Sequence, residues 1–148
     1  MAGAVAGTTG RLVNLSVRTN AGKESNPLIV GFVVAGAATR SLLVCGVGPT
    51  LGAFGVAGAL ADFGVPGALA NPRLQVFESS GRLVAENDNW STASNAGAVA
   101  AAVGAFALGA GSQDGALVLT LPPGAYTAQV SGVGNATGVG LVEVYEVP

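Results

Sequence analysis

The chain has 148 residues, a formal net charge of −2 and no histidine; 50% of its residues are hydrophobic by type, but only 5% are aromatic and 9% charged. Its 27 alanines and 24 glycines make about a third of the chain nearly bare of side chain. These proportions exclude a disordered chain, which is poor in apolar residues and rich in charge. They exclude collagen, because the glycines have no three-residue period. They also argue against a nucleic-acid binder, since one lysine and five scattered arginines form no basic patch.

The length predicts one domain over 11–148, preceded by a small-residue arm over 1–10. The start, Met1 to Gly7, has neither the basic region nor the apolar region of a signal peptide. Val13, Leu15 and Val17 alternate with Asn14, Ser16 and Arg18, the period of a strand with one buried face. Leu28–Ala35 and Ser41–Val47 are near-continuous aliphatic runs, which predict strands covered on both faces. Gly31, inside the first, predicts a bulge or a close backbone approach. Cys45, the single cysteine, lies in the second and reads as a buried, inert thiol.

A tandem duplication follows, Phe54–Asp62 and Phe63–Asn71, identical at seven of nine positions. Two copies are too few for a solenoid, so they predict an enlarged surface loop whose Phe54 and Phe63 contact a neighbour. Arg73–Glu78 and Arg82–Glu86 flank Ser79-Ser80-Gly81, a hairpin signal. Ala93–Val103 is the one helix candidate, with Ser91, Thr92 or Ser94 as its cap and Gly104 as its end. Leu117–Leu121, the alternating Tyr126–Ser131 and Val139–Val147 complete the strands, with Pro122-Pro123-Gly124 as a turn. About eight short strands at hairpin spacing, with at most one short helix, predict an all-β protein: an antiparallel two-sheet β-sandwich of jelly-roll type. The uncharged stretches at 41–61, 91–113 and 115–142 are interrupted by Gly, Pro, Ser and Asn, and so read as strands and loops rather than membrane spans.

Two strings carry a resemblance: Arg82-Leu83-Val84-Ala85-Glu86-Asn87-Asp88-Asn89-Trp90, and Leu121-Pro122-Pro123-Gly124-Ala125-Tyr126-Thr127-Ala128-Gln129-Val130. A strand entering an Asn-Asp-Asn loop, then a Pro-Gly-x-Tyr turn opening a later strand, resembles the bacterial pre-peptidase C-terminal type of β-sandwich. Nearly the whole chain, Arg11 to Val147, is similar to a module repeated in large secreted proteins of environmental bacteria. Its hallmarks here include Leu28–Val34, Gly46-Val47-Gly48-Pro49-Thr50-Leu51 and Val142-Glu143-Val144-Tyr145. The resemblance implies a secreted, non-catalytic accessory or surface module, sometimes calcium-bound. The chain departs from it in the duplicated loop and in a shortened Ala-rich segment after Trp90.

Few residues offer chemistry. Glu86, Asn87, Asp88 and Asn89 place four oxygen-bearing side chains in one loop, and Asp114 or Asp62 stands as a further ligand for calcium, which takes six to eight oxygens. The competing reading is that these residues stabilise a turn. Trp90 is either a stacking face for polysaccharide or a side chain packed under the sandwich edge. Glu143 and Glu146, at odd spacing on one strand, fall on opposite faces and make a poor acid–base pair. Gly46-x-Gly48 followed by Pro49 is no phosphate loop, because no Lys-Ser/Thr follows. Without histidine or a paired nucleophile, no enzyme is expected. Low charge and small-residue faces instead predict an extracellular or cell-surface structural module that associates with copies of itself, in a filament or other homopolymer. The alternative is a calcium-stabilised polysaccharide- or cell-surface-binding module.

Overall fold

The computed structural model describes residues 13–22, 26–54, 67–93 and 95–148. Eight strands run as β1 (Asn14–Ala21), β2 (Leu28–Val34), β3 (Arg40–Val47), β4 (Pro72–Glu78), β5 (Leu83–Asn87), β6 (Gly115–Leu121), β7 (Gly124–Gly132) and β8 (Gly138–Val147). One helix, α1 (Ala96–Val103), lies between β5 and β6. The strands form two four-stranded sheets, ordered β1-β8-β3-β6 and β2-β7-β4-β5, with every strand pair antiparallel. These orders interleave two Greek keys, which is the jelly-roll arrangement predicted from the hairpin spacing.

Period 2 fills the space between the sheets. Leu42, Val44, Val142 and Val144 point inward from one sheet, and Leu28, Val30, Leu74, Val76, Ala128 and Val130 from the other. Leu74, Val76, Ala128 and Val130 are wholly buried, and each such Val or Leu contributes roughly 1.5–3 kcal/mol by leaving water. The intervening residues of β3 and β8 (Leu43, Cys45, Val47, Leu141 and Tyr145) face outward, yet they are buried as well. Their cover is α1, the 3-10 segment Pro49–Phe54 and the chain after α1, through Ala96, Ala100, Leu51 and Phe106. Burial of β3 on both faces therefore matches its unbroken apolar run.

The same reading does not hold for β2. Ile29 is 54% and Val33 71% exposed. Among the described residues β2 is an edge strand of the sheet that carries no helix on its outer face, so only its inward residues are covered by them. An apolar run records that a strand lies near a core but not which sheet receives the cover. Gly31 marks no bulge either, since β2 and β7 pair in unbroken register from Leu28–Val130 to Val34–Gly124. The one register shift falls between Val76 and Phe77 of β4, opposite β5.

Local chemistry sets the turns as the sequence predicts. Ser79-Ser80-Gly81 closes the β4–β5 hairpin with Gly81 at φ +89°. There Glu78 accepts from Arg82 Nε at 2.8 Å and from Ser80 Oγ at 2.8 Å. Those donors hold the Glu78 carboxyl down at about 2. At the β6–β7 turn the Tyr126 hydroxyl donates to the Pro122 carbonyl at 2.6 Å, and its ring stacks on Phe32 with centroids 5.6 Å apart. Gly104 ends α1 in the left-handed region at φ +77°. The start of α1 differs from expectation. Asn95 occupies the cap position at φ 61° without a capping hydrogen bond, and Ser91 and Thr92 belong to a separate 3-10 turn.

Candidate functional site

Of the residues singled out as chemical, Asn87, Asn89, Trp90 and Asp114 come together at one end of the helix-covered sheet, where β3 leaves for the 3-10 segment, β5 leaves for α1 and β6 begins. Asp114 sits at the centre, wholly buried. One carboxylate oxygen accepts from the backbone N–H of Gly48 at 2.7 Å and of Thr50 at 3.3 Å. The other accepts from the Thr50 hydroxyl and from Ser112 Oγ at 2.5 Å. Thr50 Oγ1 in turn accepts from Gly109 N–H at 2.9 Å. A buried carboxylate is tolerated when its lone pairs are filled this way, and here four donors fill them.

The Asn-Asp-Asn loop is built on the same logic. Asn87 Oδ1 accepts from Asn89 N–H and from Ala116 N–H, each at 3.1 Å, and Asn87 Nδ2 donates to Thr92 Oγ1 at 3.0 Å. Asn89 Oδ1 caps the following 3-10 turn through Ser91 N–H and Ser91 Oγ at 3.3 and 2.9 Å. Trp90 N–H donates to the Asp114 carbonyl at 2.7 Å. Close approach here requires a bare residue: a Cβ on Gly115 would lie 2.7 Å from the Asn87 carbonyl oxygen.

This donor set does not fit calcium. Asp114 and Asn87 spend their side-chain oxygens on N–H and O–H groups of the fold, and Asn89 spends its own on Ser91. Glu86 and Asp88 are exposed, and Glu86 accepts from Gln75 Nε2 at 3.0 Å. Among the described residues no three His, Cys, Asp or Glu side chains group so as to hold a metal ion. Asp62 and Phe63 lie outside the described residues, as do residues 1–10 and most of the duplication; of Phe54 only the backbone is described.

Trp90 is brought to the site but not presented to solvent as a flat platform. Its Nε1–H donates to Gly109 O at 3.1 Å and to Ser112 Oγ at 3.2 Å. Its ring packs into the cluster under α1, where a Cβ on Gly97 would lie 3.5 Å from Cζ3. A chain of polar contacts therefore runs from the indole through Ser112 to Asp114 and Thr50.

Sequence reasoning missed a second buried acid. Glu143 is buried on the covered face of β8, opposite Ser16 of β1 and Cys45 of β3. It accepts from the Tyr145 hydroxyl at 2.8 Å and also bonds Ser16. It lines an open groove of about 310 Å³ with Arg18, Leu51 and Phe106. Burial pushes its carboxyl above the ordinary value of 4.5, and the bonds from Tyr145 and Ser16 pull it partly back. Glu146 points to the other face, near Arg40 at 4.0 Å, as the odd spacing requires. The periodicity could have placed Glu143 beside the outward apolar residues of β8; the cover that buries it comes from segments distant in sequence.

The raised carboxyl has a consequence for stability. The folded chain holds the Glu143 proton to higher pH than the unfolded chain does. Its contribution is thus complete below about pH 4.5 and is lost as pH rises through the folded value. Glu143→Gln, which keeps an acceptor for Tyr145, is expected to flatten the decline of the unfolding midpoint from pH 4.5 towards neutrality. Thermal melts of both proteins across that range check it, and parallel curves would refute it.

The chain is similar to the pre-peptidase C-terminal domain of a collagenase from Bacillus anthracis, with a TM-score of 0.49 and 12% identity, 89% of each chain being covered. No family model and no curated protein matches the sequence. Among the described residues no helix is long and apolar enough to cross a membrane.

Proposed function

We propose that this chain is a non-catalytic structural module of the cell exterior or cell surface, and that it associates with further copies of itself in a filament or other homopolymer. The observation that carries the reading is the outer face of the β2-β7-β4-β5 sheet, where large apolar side chains stand exposed among the described residues. Ile29 and Val33 stand 54% and 71% exposed on it, and Leu83 stands 40% exposed on β5. The register sets Gly31, Thr127, Phe77 and Leu83 in one uncharged row across the sheet, beside the row Ile29, Gln129, Gln75 and Glu86. Ile29, Val33 and Leu83 are the large apolar side chains this face leaves exposed among the described residues, and apolar surface left in water is what association would bury. Among the described residues β1 and β2 are also edge strands, each paired on one side, and open edges accept a further strand. The likeness of the Arg82–Trp90 and Leu121–Val130 strings to secreted modules supports the location.

Val33→Lys tests the reading. Its side chain is the most exposed large apolar one described, so a lysine there is solvated in the monomer and costs the fold little. Light scattering over a wide concentration range is expected to show association for the natural chain and a shift to monomer for the variant. A strictly monomeric natural chain would overturn the proposal.

A further inference from the structure

Among the described residues each sheet has two edge strands, β1 and β6 in one and β2 and β5 in the other. An edge strand is a template for a further strand unless charge, a bulge or a cover blunts it. β1 carries Arg18 among Asn14, Ser16, Thr19 and Asn20. β6 is met at its start by the chain leaving β5: Ala116 N–H donates to Asn87 Oδ1, and the Asp114 carbonyl accepts from Trp90 N–H. β5 carries Glu86 and pairs with β4 through a register shift. Among the described residues β2 has none of these. It reads LIVGFVV, seven residues without charge or proline, paired with β7 in unbroken register. Short uncharged segments of high β-propensity are the ones that pair with copies of themselves. Granted the self-association proposed above, we infer that its contact is made strand to strand: β2 pairs antiparallel with β2 of a second copy, across a two-fold axis at Gly31.

The strand is complementary to itself in this register. An axis at Gly31 sets Leu28 opposite Val34, Ile29 opposite Val33 and Val30 opposite Phe32 of the second copy, so the whole strand is paired. Buried and half-buried residues (Leu28, Val30, Phe32 and Val34) then meet their own kind on the inward face, and the exposed Ile29, Gly31 and Val33 meet on the outward one. A slip of one residue would set every inward side chain against an outward one, and a slip of two would leave strand ends unpaired. The register also brings Ile29, 54% exposed, against Val33, 71% exposed, as a cross-strand pair of β-branched side chains. Gly31 itself has no use within one chain. Its φ is not positive, and an added Cβ would come no closer to the fold than 4.0 Å, at the Tyr126 carbonyl oxygen. A glycine inside a strand often marks the close approach of another backbone, and at the axis the two strands cross at that residue. A two-fold contact closes on itself, so the pair is a building unit, and a longer homopolymer needs a second contact.

Cysteine cross-linking reads the register. Residues directly opposite in an antiparallel pair lie about 4.5–5.5 Å apart at Cα, inside the roughly 4.4–6.8 Å that a disulfide spans. Position 31 faces itself across the axis. Position 29 faces 33, and lies four residues, about 13 Å, from its own copy. Under oxidation with glutathione disulfide, Gly31→Cys is expected to give a band at double the 14.3 kDa of the chain. Ile29→Cys and Val33→Cys, each alone, are expected to give none, and an equimolar mixture of the two is expected to give it. The natural Cys45 is buried and does not contribute. The mixture keeps the test open if Gly31→Cys fails to fold. Light scattering of the natural chain is measured beside it. A natural chain that associates while neither Gly31→Cys nor the mixture cross-links leaves the self-association standing and overturns the pairing at β2. Equal cross-linking by all the single variants overturns it too, because it marks contact without register. A natural chain that stays monomeric at every concentration removes the self-association and the pairing with it.

Discussion

Asp114→Ala is expected to lower the stability of this protein by about 3–5 kcal/mol, the range reached when a buried hydrogen-bonded network loses its acceptor. The carboxylate is wholly buried and fills four donors: Gly48 N–H, Thr50 N–H, the Thr50 hydroxyl and Ser112 Oγ. The alanine leaves the Gly48 and Thr50 N–H groups and the Thr50 hydroxyl without this acceptor inside the fold, while the half-buried Ser112 can turn to water, and each unsatisfied buried donor costs about 1–3 kcal/mol before relaxation. At this chain length the loss corresponds to a midpoint lower by roughly 10 °C. Asp114→Asn is expected to fall between the two. Its amide oxygen still accepts from the two backbone N–H groups, while its NH₂ requires the Thr50 and Ser112 hydroxyls to turn and accept. Trp90 reports the same event, since Ser112 bonds both its Nε1 and Asp114, so emission should change in the order Ala, Asn, natural chain. Neither EDTA nor added calcium should move the natural midpoint, because the oxygens a cation needs are held by the fold. An alanine variant as stable as the natural chain would show that the network carries little energy.

How much of this site was legible in the sequence follows from the distances over which it is made. The Asn87 and Asn89 bonds reach two to five residues along the chain, except the one to Ala116. A cluster of Asn and Asp after a strand is enough to predict such a turn. Asp114 is different. In Ser112-Gln113-Asp114-Gly115 it looks like an ordinary turn residue, and its partners at Gly48 and Thr50 are 66 and 64 positions away. No local pattern marks an aspartate as buried when the groups that neutralise it arrive from another loop. The oxygen count that suggested calcium was therefore correct in composition and silent about who uses the oxygens.

The fold divides in the same way. Alternation in Asn14–Arg18 and Tyr126–Ser131, and the hairpin at Ser79–Gly81, record which residues face a core, because period 2 is a property of the strand itself; Val13, which the same alternation placed on the buried face, lies before β1 and is 61% exposed. They do not record which sheet carries α1. β2 and β3 have near-identical apolar character, yet β3 is buried on both faces while β2 exposes Ile29 and Val33. The difference is made by where the chain between β5 and β6 packs. The low charge of the chain thus has two sources. Part of it lines a second core under α1, and part stays on the bare sheet, where the self-association proposed above would cover it.

Gly48→Ala is expected to destabilise the fold by about 3 kcal/mol or more, for a reason of space alone. A Cβ at this position would lie 2.0 Å from the carbonyl oxygen of Leu69 and 3.2 Å from Cδ of Pro72. The neighbour that would have to yield is backbone. Leu69 is held by its N–H to the Val139 carbonyl at 2.9 Å, and its side chain is wholly buried. Gly48 is held as firmly from its own side, through its N–H to Asp114. Relief of the overlap must therefore break the Leu69 contact with β8 or the Asp114 network. Gly52→Ala, four residues on, is the control: a Cβ there meets nothing within 4 Å, so the change should be neutral or add about 0.4–1 kcal/mol through the unfolded chain. Chemical denaturation of the two variants separates the explanations. If both lose stability alike, the segment merely dislikes alanine. If only Gly48→Ala does, the Gly46-x-Gly48-Pro49-Thr50 string is a packing device, bare at position 48 so that Leu69 can pass and Asp114 can be capped.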